Sequence, residues 1–215
     1  MTMLPKPVAQ PPAQLDQASL LQGVEALSEI DAGLARVVSS YGPPPLWARE
    51  PSFATLIHII LEQQVSLASA NAAFARLLDV ASPLTPERFL TLDDELLRGV
   101  GFSRQKQRYG RHLAQCILAG DLDLATLPDL TDEETRQTLM QVKGIGAWTA
   151  DIYLMAALLR PDIWPVGDLA LAVAAQQVKG LAARPTPDEL TELAEPWRPW
   201  RAVAARILWH NYLSQ

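Results

Sequence analysis

The chain has 215 residues, 49% of them hydrophobic, which is enough for one large domain or two small lobes. Its formal net charge is −6 at pH 7, and this acidic balance argues against a generic nucleic-acid-binding domain. Its single cysteine, Cys116, excludes an intramolecular disulfide framework, a four-cysteine iron–sulfur cluster and a multi-cysteine zinc site. No apolar run approaches the roughly 20 residues of a membrane helix, and the cysteine content suits a reducing compartment, so we expect a cytoplasmic protein with no membrane partner.

The first elements in chain order are an extended arm and three helices. Residues 1–17 carry prolines at positions 5, 7, 11 and 12 without an apolar signal core, which predicts a flexible arm ahead of a folded domain over 18–215. Apolar residues at helical spacing predict one helix over 18–40, ended by a Gly-Pro-Pro-Pro run. Two further helices are expected over 51–62 and 66–80, joined by the turn Gln63-Gln64-Val65.

The rest of the chain continues in the same way. Helices are expected over 92–98, 103–119, 131–140, 147–159, from 168 onwards, 186–194 and 199–212, and no alternating run predicts a strand. The predicted class is therefore all-α, with two helical lobes and a cleft between them. One lobe is expected to span about 50–160, and the other to combine the N-terminal helix with about 161–215.

Charge is unevenly distributed along this acidic chain. The segment from 98 to 111 contains five basic residues and no acidic one: Arg98, Arg104, Lys106, Arg108 and Arg111. A small basic footprint on an acidic body can still attract phosphates. The alternative for any one of these side chains is a solvated helix face.

The most informative stretch is LMQVKGIGAWTADIYLM, from Leu139 to Met155. It predicts a helix ending near Met140, a tight Gly144-Ile145-Gly146 turn and a second helix that starts at once, which is a helix-hairpin-helix. Two glycines permit unusual backbone angles and leave amide N–H groups bare at a helix N-terminus, where a phosphate can bind beside Lys143. A glycine-capped turn without a ligand is the alternative.

About 20 residues later, Pro165-Val-Gly-Asp168 stands at the start of another expected helix. As the N-cap, Asp168 would be held as a carboxylate by backbone N–H groups and the helix dipole. Taken alone, the motif favours a purely structural cap.

A helix-hairpin-helix followed about 20 residues later by Pro165-Val-Gly-Asp168 resembles the motif arrangement of the helix-hairpin-helix-GPD superfamily of DNA glycosylases. Further segments resemble its 3-methyladenine DNA glycosylase II (AlkA-type) family, in the compact form without an N-terminal β-rich domain. These are Leu61-Glu-Gln-Gln-Val-Ser66, Gly101-Phe-Ser-Arg-Gln-Lys106, Trp197-Arg-Pro-Trp-Arg201 and Ile207-Leu-Trp209. The similarity covers roughly residues 20 to 213.

The resemblance implies a monofunctional glycosylase that flips an alkylated base out of duplex DNA and hydrolyses its glycosidic bond in base excision repair. Asp168 would be the catalytic carboxylate. Trp148 and Trp209 match an aromatic base pocket, although both could be core residues, and Ile152 stands where the family often has a tyrosine. Bifunctional relatives have a Schiff-base lysine at the position of Trp148, so no strand cleavage is expected.

The same resemblance assigns DNA-contacting residues. Phe102 matches the wedge that enters the base stack, unless it folds onto the core. Gln63 and Gln64 would face the minor groove or cap a helix. The remaining expected DNA contacts are Arg104, Lys106, Lys143, Gly144, Gly146 and Thr149.

No cofactor is expected to be required, although the resemblance implies a sodium or potassium ion at the hairpin, held by the carbonyls of Met140, Val142 and Ile145. The expected partner is double-stranded DNA with an alkylated base, and the protein is expected to be a monomer. The expected location is the cytoplasm, in association with the nucleoid if the protein is bacterial. Two alternatives stay open: a non-catalytic helix-hairpin-helix DNA-binding domain, and a glycosylase for an oxidised, deaminated or etheno base.

Overall fold

A computed structural model describes residues 11–215, and every regular element in that range is a helix, which confirms the all-α prediction. The α-helices are α1 (Gln17–Ile30), α2 (Ala32–Tyr41), α3 (Phe53–Glu62), α4 (Leu67–Ala81), α5 (Pro86–Thr91), α6 (Asp94–Val100), α7 (Arg104–Ala119), α8 (Asp132–Met140), α9 (Ala147–Ala156), α10 (Leu169–Lys179), α11 (Pro187–Ala194) and α12 (Arg201–Leu213). Two 3₁₀ turns, Leu127–Asp129 and Glu195–Trp197, precede α8 and α12. None of the described helices is both long and apolar enough to cross a membrane.

The chain divides into two compact units. Unit 1 comprises the residues up to Trp47 together with Leu159–Gln215, and unit 2 comprises Ala48–Leu158. Unit 1 therefore contains α1, α2 and α10–α12, and unit 2 contains α3–α9.

Unit 1 is built around α12, which packs against α1, α2 and α10. Its residues Ala202–Leu208 are all buried, because small alanines alternate with larger side chains and let neighbouring helices approach from several sides. Gly23 of α1 shows how close this packing is, since a Cβ placed there would lie 2.7 Å from the ring of Trp200. Unit 2 has an equivalent central element in α3, which packs against α4, α7 and α9 and buries its residues Leu56–Ile57 and Ile59–Glu62.

The predicted first helix is wrong in one respect, because it is two helices that meet at Asp31. The Asp31 side chain accepts hydrogen bonds from the amides of Gly33 and Leu34 and so starts α2 as its N-cap. The same buried carboxylate pairs with Lys179 and accepts the indole N–H of Trp197 at 2.8 Å. Apolar spacing continues across the break, so periodicity could not reveal it.

The expected N-terminal arm falls partly outside the described residues, which begin at position 11. Its last residues belong to unit 1: Leu15 is buried, its amide donates to the carbonyl of Leu159, and Asp16 caps α1. The boundary at residue 17 is therefore placed too late, because the capping residue and the apolar residue before it are both part of the fold.

Candidate functional site

In unit 2, α8 and α9 form the two helices of the hairpin. Gly144 has φ +101°, a conformation that favours glycine, and Ile145 between the glycines is buried. Gly146 is the N-cap of α9 in extended conformation and provides no capping side chain. The amides of the first turn of α9 therefore lack a side-chain acceptor at Gly146, beside the exposed side chain of Lys143.

Gly144 is fixed by packing as well as by its backbone angle. A Cβ at this position would lie 2.2 Å from the ring of Tyr109 on α7, a distance that no side chain tolerates. In the described part of the chain, a Cβ built at Gly146 meets no heavy atom within 4 Å apart from those of its own chain neighbours. The fold thus requires a glycine at position 144, whereas the space beside Gly146 is open.

The turn between α3 and α4 is tied to the hairpin by Gln63. Its Nε2 donates to the carbonyl of Gly144 at 2.9 Å and to Oγ1 of Thr149 at 3.0 Å, and Thr149 is buried. The expectation that Thr149 contacts DNA directly is therefore wrong, because its side chain is buried, whereas Gln63 is half-buried and its expected DNA contact stays a prediction. Gln64, the next residue, is exposed with φ +57°.

Lys106 requires a similar correction. Its Nζ donates to the carbonyls of Leu61 and Gln63 at 2.7 and 2.8 Å, where α3 ends, and burial lowers the pKa of this amine. The ammonium is thus held by the C-terminal end of α3 instead of being available to a phosphate. Arg104 and Arg108 on the same helix are exposed, and within residues 11–215 no hydrogen bond or ion pair engages either guanidinium group.

Phe102 is buried, with 2% of its surface exposed, and its ring lies 5.7 Å from that of Phe89. The expected wedge role is therefore wrong for this residue, because an inserting side chain must reach solvent. Its amide donates to the carbonyl of Leu97, which turns the chain inward directly after Gly101.

Trp148 and Ile152 lie one turn apart on α9, so they share a helix face. The indole is half-buried, and Ile152 is 7% exposed. The position where bifunctional glycosylases would need a lysine is thus occupied by an aromatic ring.

A buried ion pair in the hairpin was missed by sequence reasoning. Arg136 on α8 donates to Asp151 on α9 at 2.7–2.8 Å, and the Asp151 side chain is 3% exposed. Burial alone would lower the pKa of Arg136, but the carboxylates of Asp151 and Glu133 raise it overall. The pair fastens the two helices together, and no sequence signal joins residues 15 positions apart before the hairpin is known.

In unit 1, Asp168 follows the turn made by Pro165, Val166 and Gly167 and is the N-cap of α10. Its Oδ1 accepts the amide of Leu171 at 2.9 Å and the indole Nε1–H of Trp209 at 3.2 Å. Asp168 is 9% exposed and Trp209 is half-buried. Both of these donors are neutral, and they orient the carboxylate from its own helix and from α12.

Asp168 also lines a cavity of about 310 Å³ that lies within unit 1. The cavity is bounded by the start of α10 and by the segment leading into α11, namely Gly167, Leu169, Ala172, Arg184, Pro185, Thr186, Pro187 and Leu190. This places a fixed carboxylate at an opening with largely apolar walls, an arrangement typical of ligand sites.

Within residues 11–215 no three His, Cys, Asp or Glu side chains are grouped so that they could hold a metal ion. The cation ligands expected at the hairpin turn are backbone carbonyl oxygens. The Val142 carbonyl accepts the Ile145 amide at 3.0 Å, and no backbone hydrogen bond outside the regular helices occupies the carbonyls of Met140 and Ile145 in the described residues. Neutral hard oxygens of this kind suit an alkali cation.

Comparison with known proteins identifies relatives along most of the chain. The pattern of HhH-GPD superfamily base excision DNA repair proteins matches residues 57–199. DNA-3-methyladenine glycosylase 1 of Schizosaccharomyces pombe is 29% identical over 180 residues, covering 82% of this chain and 79% of its own length. DNA-3-methyladenine glycosylase 2 of Escherichia coli is 27% identical over 74% of this chain and 57% of its own length. A structure of the S. pombe 3-methyladenine DNA glycosylase in complex with abasic-DNA superposes with a TM-score of 0.82 and 30% identity, covering 87% of this chain and 95% of that one.

Proposed function

Because the chain belongs to the HhH-GPD superfamily of base excision DNA repair proteins, we propose that it is a monofunctional DNA glycosylase that hydrolyses the N-glycosidic bond of alkylated bases in duplex DNA. The observation that carries this proposal is Asp168, an almost buried carboxylate held by Leu171 and Trp209 at the edge of a cavity. The names of the S. pombe and E. coli relatives support 3-methyladenine as the base.

In the proposed reaction the bond between C1′ and the base nitrogen breaks, and its electron pair leaves with the base. Positive charge builds on the sugar, and a fixed carboxylate stabilises it without having to reorganise. Water then adds to C1′ and loses a proton, so the products are a free base and an abasic site. An alkylated base that already carries positive charge leaves as a neutral molecule and needs little protonation by the protein.

Trp148 supports hydrolysis without strand cleavage, because an indole cannot form a Schiff base with the sugar. We assign base recognition to Trp148, Ile152 and Trp209. The accessible part of a half-buried indole attracts a cationic base, by roughly 0.5–2 kcal/mol.

DNA is held, in this proposal, by the hairpin and the turn after α3. Phosphate binds at the N-terminus of α9, where Gly146 provides no capping side chain, with Lys143, Arg104 and Arg108 supplying charge. Gln64 takes the role expected of Phe102, insertion into the base stack, because it is exposed on a turn fixed by hydrogen bonds. Gln63 donates to the carbonyl of Gly144, and Lys106 donates to the carbonyl of Gln63. Duplex DNA containing an alkylated base is the proposed partner, bound by a monomer.

No cofactor is needed for this hydrolysis. A sodium or potassium ion would be held by the carbonyls of Met140, Val142 and Ile145, and when bound it would add positive charge beside the phosphate. These residues otherwise shape the turn so that the amides of α9 face the DNA backbone.

The test is incubation of the protein with duplex oligonucleotides that each contain one lesion, followed by chromatography of released bases and separate strand analysis with and without alkali. Release of 3-methyladenine or 7-methylguanine, with strand breaks only after alkali, supports the proposal. Release of only oxidised, deaminated or etheno bases would reassign the lesion. DNA binding without release of any base would indicate a non-catalytic domain, and breaks without alkali would overturn the monofunctional assignment.

A further inference from the structure

The cavity beside Asp168 is lined by one cationic side chain, that of Arg184. Arg184 lies in the segment between α10 and α11 and is exposed. No hydrogen bond or ion pair to another residue of the 11–215 range engages its guanidinium, whereas Arg198 and Arg201 of the same unit are paired with Asp162 and Glu195. An exposed arginine without a partner is fully hydrated and ready to exchange water for an external anion.

Arg184 stands on a backbone that is fixed on both sides. Gly180 ends α10 in the left-handed conformation, and Thr186 begins α11 with a capping box in which its amide and that of Glu189 are both bonded. Pro185 follows Arg184 directly and restricts the backbone of both residues. The guanidinium is thus presented from a segment that loses little conformational freedom when it binds a ligand.

Electrostatics indicates which ligand fits. A carboxylate that must approach a deoxyribose also approaches the phosphates on either side of that sugar, and like charges in a partly dehydrated cavity repel. A guanidinium lining the same cavity offsets this repulsion, and its planar donors match two phosphate oxygens. The apolar walls, which include Leu169, Pro185 and Leu190, suit the carbon face of a sugar.

We propose that Arg184 binds a backbone phosphodiester next to the flipped nucleotide and thereby positions its sugar against Asp168. The ligand is the sugar–phosphate backbone, so the contact does not depend on base identity. This inference rests on the proposed function, but it concerns binding and can be tested without excision.

The experiment measures dissociation constants for duplex DNA containing a tetrahydrofuran abasic analogue over a range of salt concentrations, with wild type, Arg184→Ala, Arg184→Lys and Arg198→Ala. Loss of one phosphate contact should weaken binding about tenfold at low salt and reduce the slope of log affinity against log salt by about 0.9. Arg184→Lys should keep the slope. Arg198→Ala removes the same formal charge from unit 1, but its guanidinium is already paired, so it should keep both affinity and slope. Circular dichroism melting checks that each variant is folded.

Single-turnover excision on alkylated DNA adds a second readout. Arg184→Ala should require more enzyme for half-maximal rate, while its rate at saturation stays within about threefold of wild type, because the residue positions the backbone and does not touch the breaking bond. An unchanged salt slope in Arg184→Ala, or equal losses in Arg184→Ala and Arg198→Ala, would overturn the proposal and leave the glycosylase assignment intact. Absence of excision by wild type would overturn the proposed function. The salt dependence of the dissociation constants would still test whether Arg184 binds a phosphate.

Discussion

The indole Nε1 of Trp209 donates to Oδ1 of Asp168 at 3.2 Å, the same oxygen that accepts the amide of Leu171. Two donors on one oxygen orient the carboxyl plane. Trp209 on α12 thus orients the side chain of Asp168, which lies 41 positions earlier in the sequence.

Replacing Trp209 by phenylalanine keeps an aromatic ring but removes this donor. Since a hydrogen bond to a charged group contributes about 1.5–3 kcal/mol, we expect the single-turnover excision rate of Trp209→Phe to fall by at least about tenfold. Binding of abasic-analogue DNA should change much less. A rate equal to that of wild type would show that the indole donor plays no part in catalysis.

Gly144→Ala should destabilise the protein by about 2–4 kcal/mol, combining a strained positive φ with overlap against Tyr109. Gly146→Ala is the matched control, since its φ is −97° and its surroundings are open, and it should cost less than about 1 kcal/mol. Urea unfolding monitored by circular dichroism measures both. Equal stabilities of the two variants would contradict the account of the hairpin turn.

Phe102→Ala should affect stability, whereas Gln64→Ala should affect DNA binding. Phe102→Ala removes a buried ring and should lower the free energy of unfolding by about 3–5 kcal/mol. Gln64→Ala should leave the melting temperature nearly unchanged and weaken the binding of lesion-containing duplex more than that of undamaged duplex. A stable Phe102→Ala variant that lost only DNA binding would restore Phe102 as the wedge.

Gln63→Ala removes both bonds that tie the α3–α4 turn to the hairpin, whereas Thr149→Ser keeps the hydroxyl that accepts one of them. We expect Gln63→Ala to lose about 1–2 kcal/mol of stability and also DNA affinity, because the turn carrying Gln64 is no longer held. Thr149→Ser should keep most of both. Thermal melts and fluorescence anisotropy with labelled duplex measure the two effects, and unchanged affinity in a destabilised Gln63→Ala variant would refute the coupling.

Helices, the hairpin turn and the capping position of Asp168 could be predicted from the sequence, because each depends on residues close in the chain. The break at Asp31 could not, since the cap accepts donors from Lys179 and Trp197, far away in sequence. Lys106 and Phe102 were misassigned for a related reason: a charged or aromatic residue near a glycine turn looks exposed until the packing of α3, α5 and α7 is known.

The central claim is that the Asp168 carboxylate drives base release, and Asp168→Asn tests it most directly. Asparagine caps a helix about as well as aspartate, so the melting temperature should change little and the lesion duplex should still bind. With 3-methyladenine or 7-methylguanine DNA at saturating enzyme, we predict that the single-turnover excision rate falls by at least about 100-fold. Excision by folded Asp168→Asn at the wild-type rate would contradict the account.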